Sequence, residues 1–76
     1  MQDVFNYLWQ VKNLCERRYG VTATIERTRR QVPYVALVNG RRVVYFVKDR
    51  AFKVYSNYVC VGEYLDADLA AKFAAM

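Results

Sequence analysis

The segment PYVALVNGRRVVYFV, residues 33–47, sets Asn39-Gly40 between two runs of β-branched and aromatic residues. Asn-Gly is the preferred pair for a two-residue type I′ turn, because both central positions need positive φ. The chain is therefore expected to double back here as a hairpin. A two-residue loop puts Val38 opposite Arg41, Leu37 opposite Arg42, Ala36 opposite Val43, Val35 opposite Val44 and Tyr34 opposite Tyr45. Side chains alternate across a strand, so one face carries Val35, Leu37, Val44 and Phe46. That face lacks tyrosine and is assigned to the core. The other carries Tyr34, Ala36, Val38, Arg41, Val43, Tyr45 and Val47. Its tyrosines and arginine suit a wet or partner-contacting surface.

The flanking segments supply layers for that sheet. Over residues 3–19, Val4, Leu8, Val11 and Cys15 recur at helical spacing, with Tyr7 and Leu14 widening the stripe. Asp3 suits the helix N-terminus, Arg17 and Arg18 suit its C-terminus, and Gly20 is a natural stop. Phe5 and Trp9 lie on another flank, as core or as contact. Val21, Ala23 and Ile25 alternate with Thr22, Thr24 and Glu26, the pattern of a half-buried strand. RTRRQ, residues 27–31, reads as a loop or a protruding strand end, and Pro33 as a strand start. Phe52 to Val61 is extended again, either unbroken or broken at Ser56-Asn57. LDADLAAKFAAM closes the chain as a short helix capped by Asp66, with Leu65, Leu69, Phe73 and Met76 marking its buried stripe. The expected fold is α+β: one domain over 1–76, with a small antiparallel sheet of three to four strands. An N-terminal and a short C-terminal helix cover one face, in the order α-β-β-β-(β)-α. One sheet face is left over.

Composition bounds the rest. A chain of 76 residues with 55% hydrophobic residues can build one core, and its aromatic and β-branched content argues against disorder. No apolar run approaches the ~18–20 residues that span a bilayer, and Met1-Gln2-Asp3 does not resemble a signal peptide. The expected setting is a cytosol-like compartment, the protein's own or a host's, with no membrane partner. The two cysteines, Cys15 and Cys60, sit in apolar surroundings and read as buried small hydrophobes. A bridge between them is the alternative, and a reducing compartment opposes it.

The chemistry of catalysis is sparse. There is no histidine, no CxxC spacing for zinc, and a single serine, Ser56, without a base partner. Asp66 and Asp68 are two apart, so a helix does not put them on one face. Gly20, Gly40 and Gly62 are scattered and make no phosphate-cradling loop. The chain is expected not to be an enzyme and to need no metal or cofactor.

Charge is distributed unevenly. Of the overall +5, residues 17–53 hold ten Lys/Arg against two acids, Glu26 and Asp49. Such a field attracts polyanions or an acidic protein surface. Arg27, Arg29, Arg30, Arg41, Arg42, Lys48, Arg50 and Lys53 fall at loops and strand ends, with Tyr34, Tyr45, Tyr55 and Tyr58 interleaved. Arginines neutralise phosphates and stack, while tyrosines offer platforms for bases. Neither helix has a basic face, so the sheet and its loops are the expected contact. Arg41 and Arg42 flank an exposed turn, and changing both to Glu is expected to spare the fold. A second function uses the same surface: a small inhibitor or adaptor binding an acidic protein or a nucleoprotein complex of a host. Burial of the hairpin's second face in a homodimer or under the N-terminal helix is the bland alternative.

Two resemblances bear on this. The α-β-β-β-α order resembles the double-stranded-RNA-binding domain. That family carries a lysine cluster at the start of its last helix, where this chain has Asp66, Ala67 and Asp68, the wrong sign. The assignment is rejected. YVCVGEYLDADLAAKFAA, residues 58–75, is similar in its Gly62, Tyr64 and Ala70-Ala71 spacing to the last strand and helix of the three-stranded DNA-binding domains of plant transcription factors and integrase arms. That likeness implies a sheet that enters the major groove, but the long helix in front is foreign to the pattern. As a small, histidine-free chain with a sticky sheet face, the protein also resembles the stand-alone inhibitors that viruses use against host machinery, the anti-CRISPR proteins among them.

Overall fold

The computed structural model describes residues 4–76. In chain order the elements are α1 (Val4–Arg17), β1 (Ala23–Arg27), β2 (Pro33–Leu37), β3 (Arg41–Phe46), β4 (Ala51–Ser56), β5 (Val59–Tyr64) and α2 (Ala67–Ala74). The strands form one antiparallel sheet in the order β1-β2-β3-β4-β5. The α+β class holds, with five strands where the sequence suggested three or four. The extra strand arises because the extended stretch from Phe52 onward folds in half at Asn57-Tyr58 and pairs with itself.

Helix α1 follows its periodicity. Leu8, Val11 and Cys15 are buried, with Val4, Tyr7 and Leu14 packed at their edges. Gly20, at φ 69°, turns the chain, and the Val21 N–H donates back to the Cys15 carbonyl at 2.9 Å. The expected cap at Asp3 lies outside the described residues. Glu16 ties the helix to the sheet: it accepts from Lys12 Nζ at 2.8 Å and from the Ala23 N–H at 3.3 Å. The Lys12 hydrogen bond, followed by that of Ala23, holds the Glu16 carboxyl below its usual range.

The hairpin register differs from the expected one by a single residue. Val35 pairs with Val43 and Ala36 with Arg42. Val38, Asn39 and Gly40 lie between the strands, so the loop has three residues. The Gly40 N–H donates to the Leu37 carbonyl at 3.0 Å, and Gly40 takes φ 92° while Asn39 is not at positive φ. This is a type I turn followed by a left-handed glycine, the commonest three-residue hairpin loop. The shift exchanges the faces of β3. Val43, Tyr45 and Arg41 join Val35 and Leu37 on the side of the helices, and Val44 and Phe46 go to the other side with Arg42. The two-residue turn with positive φ at both positions is at Asn57 (52°) and Tyr58 (67°), where Ser56 pairs with Val59.

The C-terminal helix is capped as expected, with Asp66 Oδ1 accepting from the Asp68 N–H at 3.2 Å. Its buried face is not the leucine stripe. Leu65, Leu69 and Met76 are exposed, Phe73 is half-buried, and Ala70, Ala71 and Ala74 are buried. The small side chains let α2 lie directly on α1, with Cys15 Sγ 3.9 Å from the Ala71 carbonyl oxygen. Phe73 stacks on Tyr64 with centroids 5.1 Å apart. The Tyr64 ring lies where a side chain at Gly62 would project, so a larger residue there would displace the ring. The hairpin loop closes the far end of α2. Arg41 Nη1 donates to the Phe73 carbonyl at 2.6 Å and Asn39 Nδ2 to the Ala74 carbonyl at 2.8 Å. Both satisfy carbonyls that a helix end leaves unpaired, and the Arg41 charge suits the helix C-terminus.

Two stability effects follow. Ala71→Leu should overfill the contact between the helices and lower unfolding free energy by about 1–3 kcal/mol in urea titrations, whereas Leu69→Ala, on the exposed side, should change it little. A carboxyl depressed in the folded state stabilises above its unfolded pKa, and that contribution fades as pH falls through the folded value. Stability should therefore decline below about pH 4.5, the ordinary value for Glu16, and Glu16→Gln should shrink that decline.

Candidate functional site

With both helices on one side, the opposite face of the sheet is uncovered. Strand alternation and the observed registers place Thr24, Glu26, Tyr34, Ala36, Arg42, Val44, Phe46, Lys53, Tyr55 and Cys60 on it. At its centre is an open, mainly apolar groove of about 210 Å³, lined by Thr28, Tyr34, Arg42, Val44, Tyr55 and Tyr58.

Arg42 organises this groove. It is paired across β3 and β4 with Tyr55 and lies diagonal to Tyr34. Its guanidinium carbon sits 5.2 Å from the centre of the Tyr34 ring and 5.0 Å from that of Tyr58. Contacts of this length are attractive, because the ring face is electronegative. Tyr34 is further fixed by its hydroxyl, which donates to Glu26 Oε1 at 3.4 Å.

Tyr58 reaches the groove through an unfavourable backbone. Positive φ costs a bulky L-residue of order 1 kcal/mol, and glycine avoids that cost. The residue is nevertheless 83% exposed, so burial contributes little to offset the strain.

The β1–β2 loop borders the same groove. Thr28 Oγ1 accepts from the N–H groups of Arg30 and Val32, both at 3.2 Å, and the Gln31 N–H donates to the Thr28 carbonyl at 2.9 Å. These bonds shape a compact turn with Arg29 and Arg30 exposed at its tip.

Of the residues selected from sequence, Tyr34, Arg42 and Tyr55 come together here, and Arg29 and Arg30 are exposed in the loop that follows Thr28. Lys53 shares the face, but it lies between Asp49 at 3.6 Å and Glu63 at 3.9 Å and covers Phe46 at 4.3 Å. The others are elsewhere. Arg27 packs over Phe5 on the helix side at 4.7 Å. Arg41 donates to the Phe73 carbonyl of α2, so Arg41→Glu should destabilise the scaffold rather than spare it. Tyr45 faces the helices and stacks on Tyr7 at 4.5 Å; burial raises its pKa, with Tyr7 adding to the effect and Arg50 opposing it. Lys48 and Arg50 occupy the β3–β4 turn beside Tyr45, away from the groove. The expected convergence of all cations on one face is thus corrected: the one-residue register shift removes Arg41 and Tyr45. Sequence reasoning also missed Val44, which the expected register buried, and underweighted Tyr58, whose turn carries no glycine to mark it.

The cysteines are both free, and they differ. Cys15 is buried, and desolvation, with Glu16 nearby, pushes its thiol up to about 11. Cys60 is exposed on the open face opposite Tyr55, contrary to its expected burial. Among the described residues, no group of three or more His, Cys, Asp or Glu could hold a metal ion, and no helix is long and apolar enough to cross a membrane. Compared with known proteins, the chain matches no family model, no curated protein and no solved structure. Gly62, Tyr64 and Ala70-Ala71, which suggested a DNA-binding family, each have a packing role in this fold.

The thiolate is the reactive form of cysteine. Iodoacetamide at pH 8 should therefore label Cys60 alone in the folded protein and both cysteines in urea, as read by peptide mass mapping.

Proposed function

We propose that this chain is a non-enzymatic binding module that holds single-stranded nucleic acid on the open face of its sheet. The observation that carries the proposal is the Arg42 guanidinium held between the Tyr34 and Tyr58 rings in an apolar groove. Exposed aromatic rings on a sheet stack unpaired bases, each worth about 1–3 kcal/mol. A guanidinium plane stacks likewise and keeps N–H groups for phosphate oxygens. Arg29 and Arg30 at the groove's border supply backbone contacts. Bases in a duplex hide their faces, so single strands are the matching form. Strain at Tyr58 supports the same reading: a tyrosine kept where glycine would be more stable is accounted for if the ring has work at the surface.

A second reading is favoured by one observation. The groove is mainly apolar, with Arg42 as its one charged lining residue, and on the same face Lys53 is balanced by Glu63 at 3.9 Å. Tyr and Arg dominate protein-binding hot spots, so an inhibitor or adaptor of a host protein or nucleoprotein complex would use the same residues.

Fluorescence anisotropy with a labelled octanucleotide at low salt, then across a salt series, tests the first reading. Single strands should bind more tightly than duplex, and affinity should fall as salt rises. Arg29→Ala with Arg30→Ala should reduce the log–log salt slope by about 1.4, at ~0.7 per phosphate contact on single strands. Tyr58→Gly separates function from folding: stability should rise by up to about 1 kcal/mol as strain is released, while binding weakens. Absence of binding at low salt sinks the proposal, and recovery from lysate of one stoichiometric, nuclease-insensitive protein complex would then favour the second reading.

A further inference from the structure

We infer that a second site, on the helix side of the sheet, binds an aromatic heterocycle bearing a phosphate, the chemistry of a mononucleotide. It stands apart from the strand-binding proposal and shares no residue with that groove. Here α1, the β3–β4 turn and the segment before α2 enclose a cavity of about 610 Å³, within the range of small-molecule sites. Tyr7, Tyr45 and Phe52 form its wall as one packed aromatic cluster. Tyr7 and Tyr45 stack at 4.5 Å, and Phe52 meets Tyr45 edge-on at 4.8 Å. Val47 and Leu65 form apolar margins, and Leu65 is left 77% exposed with no cover from the chain.

The rim is cationic and unopposed. Among the described residues, Lys48 and Arg50 both line the cavity, no carboxylate does, and neither cation makes an ion pair. The acid between them, Asp49, is drawn to Lys53, 3.6 Å away. The turn thus sends its two cations to the cavity and its one anion elsewhere. Arg50 also holds φ 50°, with its N–H bonded to the Val47 carbonyl at 3.2 Å. That is a strained position for arginine, whose guanidinium carries a fork of donors suited to phosphate. An aromatic wall beside a two-cation rim recognises a flat ring joined to an anion. A ring alone leaves the cations unmatched, and a phosphate alone leaves the wall unused.

The test is NMR titration of the full chain with AMP, reading the ring resonances of Tyr7, Tyr45 and Phe52. These should shift and saturate with a Kd of about 1 mM or below, while adenosine and inorganic phosphate each bind more weakly than AMP. Arg50→Gly suits the positive φ and retains the turn; it should weaken AMP at least about tenfold. Lys48→Ala provides a second variant at a backbone position without strain and should also weaken it. Arg42→Glu, in the other groove, should leave AMP binding unchanged. A 5′-phosphorylated hexanucleotide and its unphosphorylated form, added to the Arg42→Glu protein, distinguish a free nucleotide from a strand end as the source of the chemistry. Ring resonances unmoved by both AMP and the phosphorylated strand, or shifts that persist unaltered in Arg50→Gly and Lys48→Ala, or loss of the AMP response in Arg42→Glu, would overturn the inference.

Discussion

The hydrogen bond from the Gly40 N–H to the Leu37 carbonyl decides what this sheet shows to the outside. It closes a three-residue loop and makes Ala36 the partner of Arg42. Strand faces alternate residue by residue, so this one choice sends Arg42 and Val44 outward and Val43 and Tyr45 inward. The same loop then grips α2 through Asn39 and Arg41. A single left-handed glycine therefore couples the position of the C-terminal helix to the identity of the exposed face.

The two faces divide cations and rings into unlike surroundings. On the uncovered side, Arg42 lies in direct contact with two tyrosines, and Lys53 is compensated by acids. On the covered side, the aromatic cluster of Tyr7, Tyr45 and Phe52 is packed against itself, with Lys48 and Arg50 at its margin. Charge counted along the chain merges these populations. The fold separates them by the thickness of a sheet.

Much of the architecture was legible because it depends on periodicity. Leu8, Val11 and Cys15 mark α1, Ala23 and Ile25 mark β1, and Asp66 marks the cap of α2. What failed depended on choices between near-equal local solutions. Asn39-Gly40 is compatible with a two-residue loop or with the last two positions of a three-residue loop, and the difference is only whether Val38 is counted as strand. At Asn57-Tyr58 the tighter turn forms without glycine, so no composition signal announced a fifth strand. In α2, leucines outweigh alanines on any hydrophobicity measure, but the space beside α1 admits only small side chains. Tyr34 lies on the open face in either register, whereas Arg42 reaches that face only through the shift. Arg41 and Tyr45 were misplaced because they stood one residue from it.

The strand order has a consequence for how the chain assembles. Every strand pair joins neighbours through a short turn, so each step of sheet formation closes a small loop at little entropic expense. The union of α1 with α2 is different, since it brings together elements separated by the entire sheet. The long-range closures all involve the helices, with α1 against β2 and β3, the Asn39 and Arg41 side chains against α2, and Cys15 against Ala71, so helix docking is expected to be the step that joins five locally paired strands into a cooperative unit.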